Sequence, residues 1–471
     1  MMIGSVTGSV WQATRNMAEA VVAPFQDPVI RLGVTGLSRA GKTVFITSLV
    51  ANLMDRGRMP QLRAAAEGRV LAAWLQPQPD DVVARFAYED HLAALTAPDP
   101  HWPEGTRRVS ELRLSLRLAP TGLLGGLSGP RTVHIDIVDY PGEWLLDLGL
   151  LDRDYASWSE RALAKVRLRP GAEEFLARLD RIDAAGPLDE VALKGLADAY
   201  ATHLQVAREA GYSDCTPGRF LLPGDLEGSP VLTFAPLPPV PEPARRSMWR
   251  ESERRFEAYK RLVVKPFFRE HFARIDRQVV LVDVLGALAR GPQAFEDLRT
   301  AMADILTAFN PGASAWLARL LGQRRVERIL FAATKADHLH HSQHAKLTTL
   351  TEALLREARD RAEFAGAETE AMAIAALRTT VEDRIAHGGG MVDVVRGRLL
   401  GSGRQAAQHP GDLPEDPGRL LAPARAGAEA WPLEDYAVQD FAPAPLTLRP
   451  GEGPPHIRLD KAAEFLIGDR L

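Results

Sequence analysis

The pattern of apolar and polar positions predicts buried strands in two separate parts of the chain. Residues 29–34 are a short β-rich run, and the near-continuous apolar runs at 278–284 and 328–333 are typical of central parallel strands that other elements cover on both faces. A further run at 372–377 is a last candidate strand. The first run leads into a glycine-bounded loop and then an apolar helical stretch, which is the strand–loop–helix order of α/β folds.

Strict alternation at a second place predicts a hairpin. Over residues 109–118, leucines alternate with arginine and serine, which is typical of a half-exposed strand. After a glycine-rich connection, the β-rich run 132–138 supplies the second strand. Upstream, the apolar spacing of 71–75 and 82–95 predicts helices.

Between these sheet-forming regions the pattern is mainly helical. Residues 145–210 have helical spacing, whereas 216–243 are too rich in proline and glycine for one regular element. Residues 245–275 predict a long basic helix that is interrupted near Pro266. We expect its aromatic residues to form a core face; contact with acidic lipid or a partner is the alternative.

Composition narrows the class of protein. The 471 residues carry a net charge of −4, which gives no electrostatic reason to expect nucleic-acid binding. Cys215 is the single cysteine and cannot form an internal disulfide, so a reducing compartment is expected. The chain shows neither a secretory signal nor an apolar run of the ~18 residues that cross a bilayer. We expect a cytoplasmic protein; a position on the surface of the inner membrane stays open.

The strongest chemical signal is the octapeptide GLSRAGKT at 36–43, which fits the pattern G-x-x-x-x-G-K-[ST]. Glycines let the backbone turn tightly and direct successive N–H groups at phosphate oxygens. The lysine would reach the β and γ phosphates, and the threonine hydroxyl would bind Mg²⁺. The expected phosphate contacts are Gly36, Ser38, Arg39, Ala40, Gly41, Lys42, Thr43 and Val44.

Metal and γ-phosphate contacts are predicted from the tetrapeptide DYPG at 139–142, which follows the β-rich run. Asp139 would hold Mg²⁺ through a water, and the Gly142 N–H would bond the γ-phosphate. Asp136, one strand position earlier, is a less favoured ligand. Thr106, in the loop before the alternating strand, is a further candidate for Mg²⁺ and the γ-phosphate.

Two residues bear on hydrolysis. Many GTPases have glutamine after the D-x-x-G glycine, where it orients the attacking water. Here Glu143 occupies that place and brings negative charge towards an anionic phosphate, which predicts either slow intrinsic turnover or a different water-positioning group. Arg39 would supply positive charge to the transition state; a solvent-exposed arginine, or one paired with an acid such as Glu143, is the favoured alternative.

Base recognition is predicted from TKAD at 334–337, which follows a buried strand. The Asp337 carboxylate would accept hydrogen bonds from guanine N1–H and the 2-amino group, two donors that adenine lacks. The Lys335 stem would lie across the base, and Thr334 would tie this loop to the phosphate loop. Ala376 and Leu377 resemble the loop whose backbone N–H meets guanine O6.

The histidines at 338, 340, 341 and 344 suggest a metal site, but no cysteine or carboxylate set completes it in the sequence. A solvent-facing helix start is the favoured interpretation.

The motifs occur in the order found in small GTPases, and longer stretches resemble one bacterial family. GLSRAGKTVFITSL at 36–49, DYPGEWLLDL at 139–148, TKAD and HIRLDKAAEFLIGD at 456–469 are similar to the YcjX family of P-loop, GTPase-like stress proteins. The resemblance implies GTP or GDP binding on a Ras-like core enlarged by insertions. It also implies a link to envelope stress, with an inner-membrane or envelope-stress protein as a partner.

We therefore predict an α/β P-loop NTPase fold, Ras-like, with a mostly parallel sheet flanked by helices. A large helical insertion and an irregular α+β C-terminal region complete it. The predicted segments are a leader helix (1–27), the first half of the GTPase domain (28–150), a mainly helical insertion (151–276), the second half with the guanine-reading loops (277–382) and a C-terminal extension packed on the core (383–471).

The predicted activity is slow, Mg²⁺-dependent hydrolysis of GTP to GDP and phosphate by a nucleotide-dependent switch. Two alternatives stay open. One is a scaffold that binds GDP or GTP without hydrolysis, and the other is an ATPase, if Asp337 does not reach the base.

Overall fold

The computed structural model describes most of the chain in two sheets and the helices around them. The described residues are 27–37, 39–105, 108–120, 129–271, 274–307, 326–364, 366–387, 389–426, 431–432 and 436–471. The predicted leader helix, except for residue 27, lies outside them.

The strands build one large mixed sheet and one small antiparallel sheet. They are β1 Val29–Gly36, β2 Val70–Gln76, β3 Ala84–Arg85, β4 Ser110–Leu118, β5 Arg131–Asp139, β6 Arg277–Val282, β7 Arg328–Ala333, β8 Glu368–Ala373, β9 Val381–His387, β10 Gly390–Arg398 and β11 Gln405–Gln408. The large sheet has the order β2-β4-β5-β1-β6-β7-β8, with β3 beside β4, and the small sheet has the order β11-β10-β9. All neighbours from β5 to β8 are parallel, whereas the β2–β4 and β4–β5 pairs are antiparallel.

The helices cover both faces of the large sheet. They are α1 Lys42–Met54, α2 Arg63–Ala66, α3 Tyr88–Thr96, α4 Gly142–Leu146, α5 Tyr155–Val166, α6 Glu173–Leu179, α7 Glu190–Glu209, α8 Gly218–Leu221, α9 Met248–Tyr259, α10 Lys265–Glu270, α11 Val284–Ala289, α12 Pro292–Thr307, α13 His344–Leu354, α14 Arg356–Phe364, α15 Gly418–Ala426 and α16 Leu459–Ile467. Helices α1 and α16 pack on one face, and α12, α13 and the helices from α5 to α10 belong to the core of the other. None of the described helices combines the length and apolar character needed to cross a membrane.

The central strands are apolar throughout because both of their faces are covered. In β6, Val279 and Leu281 pack in the core that contains α1, while Val280 and Val282 pack in the core on the opposite face. Successive side chains of a strand point to opposite faces, so a strand inside a two-sided layer needs apolar residues at every position. The prediction of central buried strands is confirmed.

Helices α5–α10 form what we call the helical layer (residues 155–270), which has an aromatic core. The Trp158 ring stacks on Phe256 with centroids 5.0 Å apart, and Tyr259 and Phe268 are fully buried beside them. The described aromatic residues of the basic segment, which end at Phe268, therefore do form a core face, as predicted. The predicted interruption near Pro266 is a π-helical turn at Lys260–Val264, directly before α10.

Two predictions of local structure were wrong and one was confirmed in part. The predicted helix 71–75 belongs to β2, which pairs antiparallel with β4. The predicted helix 82–95 is confirmed from Tyr88, where α3 begins, but the short strand β3 precedes it. A short apolar run fits either a strand or a helix, and pairing with a neighbour decides between them. The last parallel strand, β8, ends at Ala373, so most of the predicted strand 372–377 forms the loop after it.

Candidate nucleotide-binding site

The loop between β1 and α1 carries the predicted phosphate-binding motif and turns tightly at two described residues. Arg39 and Gly41 adopt left-handed backbone conformations, with φ angles of 65° and 81°. The Lys42 ammonium folds back across the loop and donates a hydrogen bond of 2.7 Å to the carbonyl of Gly36. Lys42 and Thr43 are both buried at the start of α1. Backbone N–H groups at such a helix start, together with a nearby lysine, favour an anion. Ser38 lies outside the described residues.

Asp139 and Gly142 meet this loop because β5 lies beside β1. Asp139, the last residue of β5, is in register with Val34 and is buried. At Gly142, a Cβ atom would lie 2.0 Å from the carbonyl oxygen of Gly36 and 3.2 Å from the Cα of Leu37. Only glycine allows this contact, so the two motifs are brought together by backbone packing. The Thr106 prediction falls outside the described residues.

Asp136 has a structural role, in agreement with its low rank as a metal ligand. Its fully buried carboxylate accepts two hydrogen bonds from the Arg113 guanidinium, of 2.6 and 2.8 Å, across the β4–β5 pair. A paired, bidentate arginine satisfies the charge of a buried carboxylate.

The segment after Gly142 is held by the helical layer. A Cβ at Gly218 would lie 2.0 Å from the carbonyl oxygen of Glu143, so α8 begins directly against this residue. The Arg219 guanidinium covers the Trp144 ring at 3.2 Å. Asp147 accepts hydrogen bonds from the Gly218 N–H, at 2.8 Å, and from the Tyr259 hydroxyl. Burial raises the pKa of Asp147 to about 7.

Glu143 does not pair with Arg39. Its buried carboxylate lies 3.6 Å from the Arg208 guanidinium, which comes from the last turn of α7. Arg39 is exposed and forms no ion pair with an acid among the described residues. Arg208 and Arg39 line the same pocket, together with Leu37, Ala40 and Glu143. Sequence reasoning missed Arg208, since nothing in the helical pattern marks one of its arginines as facing the phosphate loop.

The TKAD loop follows β7, two strands from β1. The Thr334 N–H bonds the carbonyl of Val282 at 3.0 Å, so this threonine ties its loop to β6, and no bond to the phosphate loop is found in the described chain. Lys335 has a φ angle of 60° and donates a 2.7 Å hydrogen bond to Asp283. Burial alone would raise the pKa of Asp283, but the Lys335 ammonium outweighs it and holds this pKa below its usual range.

Asp337 is oriented by a residue that the sequence did not single out. Its Oδ2 atom accepts hydrogen bonds of 2.8 Å from both the N–H and the hydroxyl of Thr379. The Thr380 hydroxyl donates to the Asp337 carbonyl. These threonines directly follow the predicted O6-contacting loop, so the two base loops are joined at Asp337. The TT pair is the only sequence signal that could have indicated this contact.

Hydrogen bonds from the C-terminal segment hold the backbone of the loop that contains Ala376 and Leu377. Ala375 exchanges two backbone hydrogen bonds with Ile457, of 3.1 and 2.8 Å, and the Arg378 N–H bonds the Pro455 carbonyl at 2.7 Å. These contacts hold the backbone on both sides of the predicted pair. The TKAD loop also contacts this segment, because the Ala336 N–H donates to the carbonyl of Ile374 at 3.0 Å.

The histidine run does not form a solvent-facing helix start, so that interpretation was wrong for two of its members. His338 and His344 are buried, and the Nε2 of His344 contacts the Ala336 carbonyl at 2.8 Å. A carboxylate does approach the other two, because β9 brings Glu382 to His341. Both Glu382 oxygens are engaged by His341, through its N–H at 3.0 Å and its Nδ1 at 2.8 Å, so this contact is satisfied without a metal.

The fold and the loops at the carboxyl ends of its parallel strands define the class: a mixed α/β protein with a mostly parallel sheet flanked by helices, consistent with Ras-like GTPases. The model of the YcjX-like family, DUF463, matches residues 30–471, and the chain belongs to this family. The family resemblance of the motifs is thereby confirmed.

Two curated relatives match almost the whole chain. A protein named Ras-like GTPase YcjX from Escherichia coli (strain K12) is 38% identical over 477 residues, covering 97% of this chain and 99% of that protein. A protein of the same name from Shewanella oneidensis is 38% identical over 471 residues, covering 94% of this chain and 95% of that protein.

A substitution at Gly142 tests the backbone contact. Gly142→Ala should lower the free energy of unfolding by about 1–3 kcal/mol, because the added methyl overlaps the Gly36 carbonyl. Gly105→Ala is the matched control, since a Cβ there meets no atom within 4 Å. Urea unfolding measures both. Equal stabilities of the two variants would contradict the contact.

Asp147 makes stability depend on pH. Its pKa of about 7 in the folded protein lies above its ordinary value, so the folded state binds the proton more tightly. Stability from this residue is therefore greatest below about pH 4 and falls as pH rises to about 7. Asp147→Asn should flatten this part of the profile in urea unfolding, while Asp198→Asn, at an exposed position on α7, should leave it unchanged. Parallel profiles for wild type and Asp147→Asn would refute the assignment.

Proposed function

We propose that this protein binds GTP and GDP with Mg²⁺ and hydrolyses GTP slowly, as a nucleotide-dependent switch. The observation that carries the proposal is the contact of Gly142 with Gly36. This contact brings the end of β5, which carries Asp139, against the loop that carries Lys42, and so it supports a shared phosphate and metal site. Donors and a cation on one side and a carboxylate on the other suit a phosphate chain bridged to a divalent cation.

Each group has a distinct part in this proposal. Lys42 would leave the Gly36 carbonyl and bind phosphate oxygens, since an anion is the stronger acceptor for an ammonium. The Thr43 hydroxyl and Asp139, through a water, would hold Mg²⁺; Thr106 stays a predicted ligand. The Gly142 N–H would bond the γ-phosphate. Mg²⁺ would neutralise the charge that develops on the leaving phosphate.

Guanine specificity is proposed for Asp337, supported by its contacts with Thr379. Hydrogen bonds to Oδ2 fix the plane of the carboxylate, which lets it accept from the N1–H and 2-amino donors of one base edge. Adenine has neither donor, so an ATP-bound state would lack these two hydrogen bonds to the Asp337 carboxylate. An ATPase remains the alternative if Asp337 does not reach the base.

A specific observation favours a second candidate, a GDP- or GTP-binding scaffold without turnover. Glu143 stands in place of glutamine, and its carboxylate is buried and paired with Arg208. A carboxylate in that state is poorly suited to orienting an attacking water. A role in bacterial envelope stress, with an inner-membrane or envelope-stress protein partner, is proposed on the family resemblance alone.

Nucleotide titration of the purified protein with GTP, GDP and ATP, with and without Mg²⁺, tests the binding proposal. Lys42→Ala should weaken GTP binding by about 100-fold, the cost of one charge-assisted contact. Lys194→Ala, an exposed lysine on α7, is the control and should bind GTP like wild type. Single-turnover release of phosphate then separates the enzyme from the scaffold: no Lys42-dependent release would leave the scaffold as the function.

Asp337→Asn tests the base assignment through a change of preference. An asparagine amide can donate to the 2-oxo group of xanthine but repels the 2-amino group of guanine. We expect GTP affinity to fall by about 100-fold and XTP affinity to rise. Competition of labelled GTP and XTP by unlabelled nucleotides measures both, with Asp198→Asn as the control. Equal competition of wild type by ATP and GTP would defeat the guanine assignment.

A further inference from the structure

A cation from the helical layer lies beside the phosphate loop, and it is not part of any of the predicted motifs. Arg208 is in the last turn of α7, its side chain is 21% exposed, and it lines a pocket with Leu37, Arg39 and Ala40 of the phosphate loop. We propose that Arg208 is the catalytic arginine supplied in cis, which contacts the transferred phosphoryl group in the transition state. This inference rests on the proposed GTPase function.

The position of Arg208 relative to the phosphate loop is determined by backbone packing. Gly142 packs on Gly36, and the next residue, Glu143, packs through its carbonyl on Gly218 of α8. Arg208 contacts the side chain of that same Glu143. The arginine is thus placed next to the residue that follows the proposed γ-phosphate contact.

The end of α7 is anchored by hydrogen bonds, which fix the backbone that carries the Arg208 side chain. The Gly211 N–H bonds the Arg208 carbonyl at 3.0 Å and the Tyr212 N–H bonds the Ala207 carbonyl at 3.1 Å, which closes the helix. Directly after this, the Ser213 and Asp214 N–H groups donate to Oδ2 of Asp297 in α12, at 2.6 and 2.9 Å. Helix α12 is part of the core that packs against the large sheet, so these hydrogen bonds connect the end of α7 to that core. A charged group that is already held near the reacting atoms stabilises the transition state at little cost in reorganisation.

The present partner of Arg208 can be exchanged. At 3.6 Å the contact with Glu143 is an ion pair without a hydrogen bond, and a single carboxylate holds it. A γ-phosphate carries more charge and three acceptor oxygens, so it competes well for the same guanidinium. We infer that Arg208 pairs with Glu143 when no triphosphate is bound, and that the γ-phosphate takes the place of Glu143 when it is.

Arg208 suits this role better than Arg39. Arg39 is exposed, and solvent screens the charge of an exposed guanidinium. Arg208 is largely buried between the helical layer and the loop, where a cation acts through a lower dielectric. The helical layer would then have a direct function, because it would supply the catalytic cation.

Single-turnover GTP hydrolysis tests the inference. Arg208→Ala should lower the rate by about 100- to 1,000-fold, while GTP affinity changes by less than about threefold. Arg208→Lys should recover part of the loss, and added guanidinium ion should partly rescue Arg208→Ala. Arg178→Ala, which removes an exposed arginine of the same layer, should hydrolyse GTP like wild type.

A second readout detects the transition-state contact without turnover. Wild type with GDP, Mg²⁺ and aluminium fluoride should form a tight complex, and Arg208→Ala should not, although both bind GDP equally. If wild type hydrolyses GTP and Arg208→Ala does so at the same rate, the inference is overturned and the proposed function stands. If wild type shows no Lys42-dependent hydrolysis, both are overturned.

Discussion

The structure depends on one close backbone contact, in which Gly142 packs against the Gly36 carbonyl. Gly36 is the last residue of β1 and Gly142 follows β5, so any side chain at Gly142 would push these two segments apart. The residues after Gly142 are buried and contact the helical layer through Glu143, Trp144 and Asp147.

This arrangement couples the proposed γ-phosphate contact to the helical layer. A change in the position of Gly142 would act on α8. The two residues after Gly142 are buried, and they contact Gly218 and Arg219 directly. The buried Asp147 and Tyr259 lie on the same connection and add a polar contact inside an otherwise aromatic core. In the proposed GTPase, the helical layer both responds to nucleotide and supplies a cation to it.

The loops proposed to recognise the base are held in place by the C-terminal segment. Its backbone pairs with Ala375 through Ile457, and Arg458 donates to the carbonyl of Ala373 at 2.9 Å. Helix α16 then packs on the same face of the sheet as α1. The C-terminal extension thus supports the loop after β8, which agrees with a family match that continues to residue 471.

The sequence by itself determined the central strands, the phosphate loop and the family. Continuous apolar runs at β1, β6 and β7 and the GLSRAGKT stretch are local signals, because burial on two faces and a tight glycine turn each require particular residues at fixed spacing. Tertiary structure alone decided the strand character of 71–75, the partners of Glu143 and Asp337, and the burial of His338 and His344. These depend on Arg208, Thr379 and pairing with β4, which come from distant parts of the chain. Contacts between segments far apart in sequence have no local periodicity, so only the folded chain could identify them.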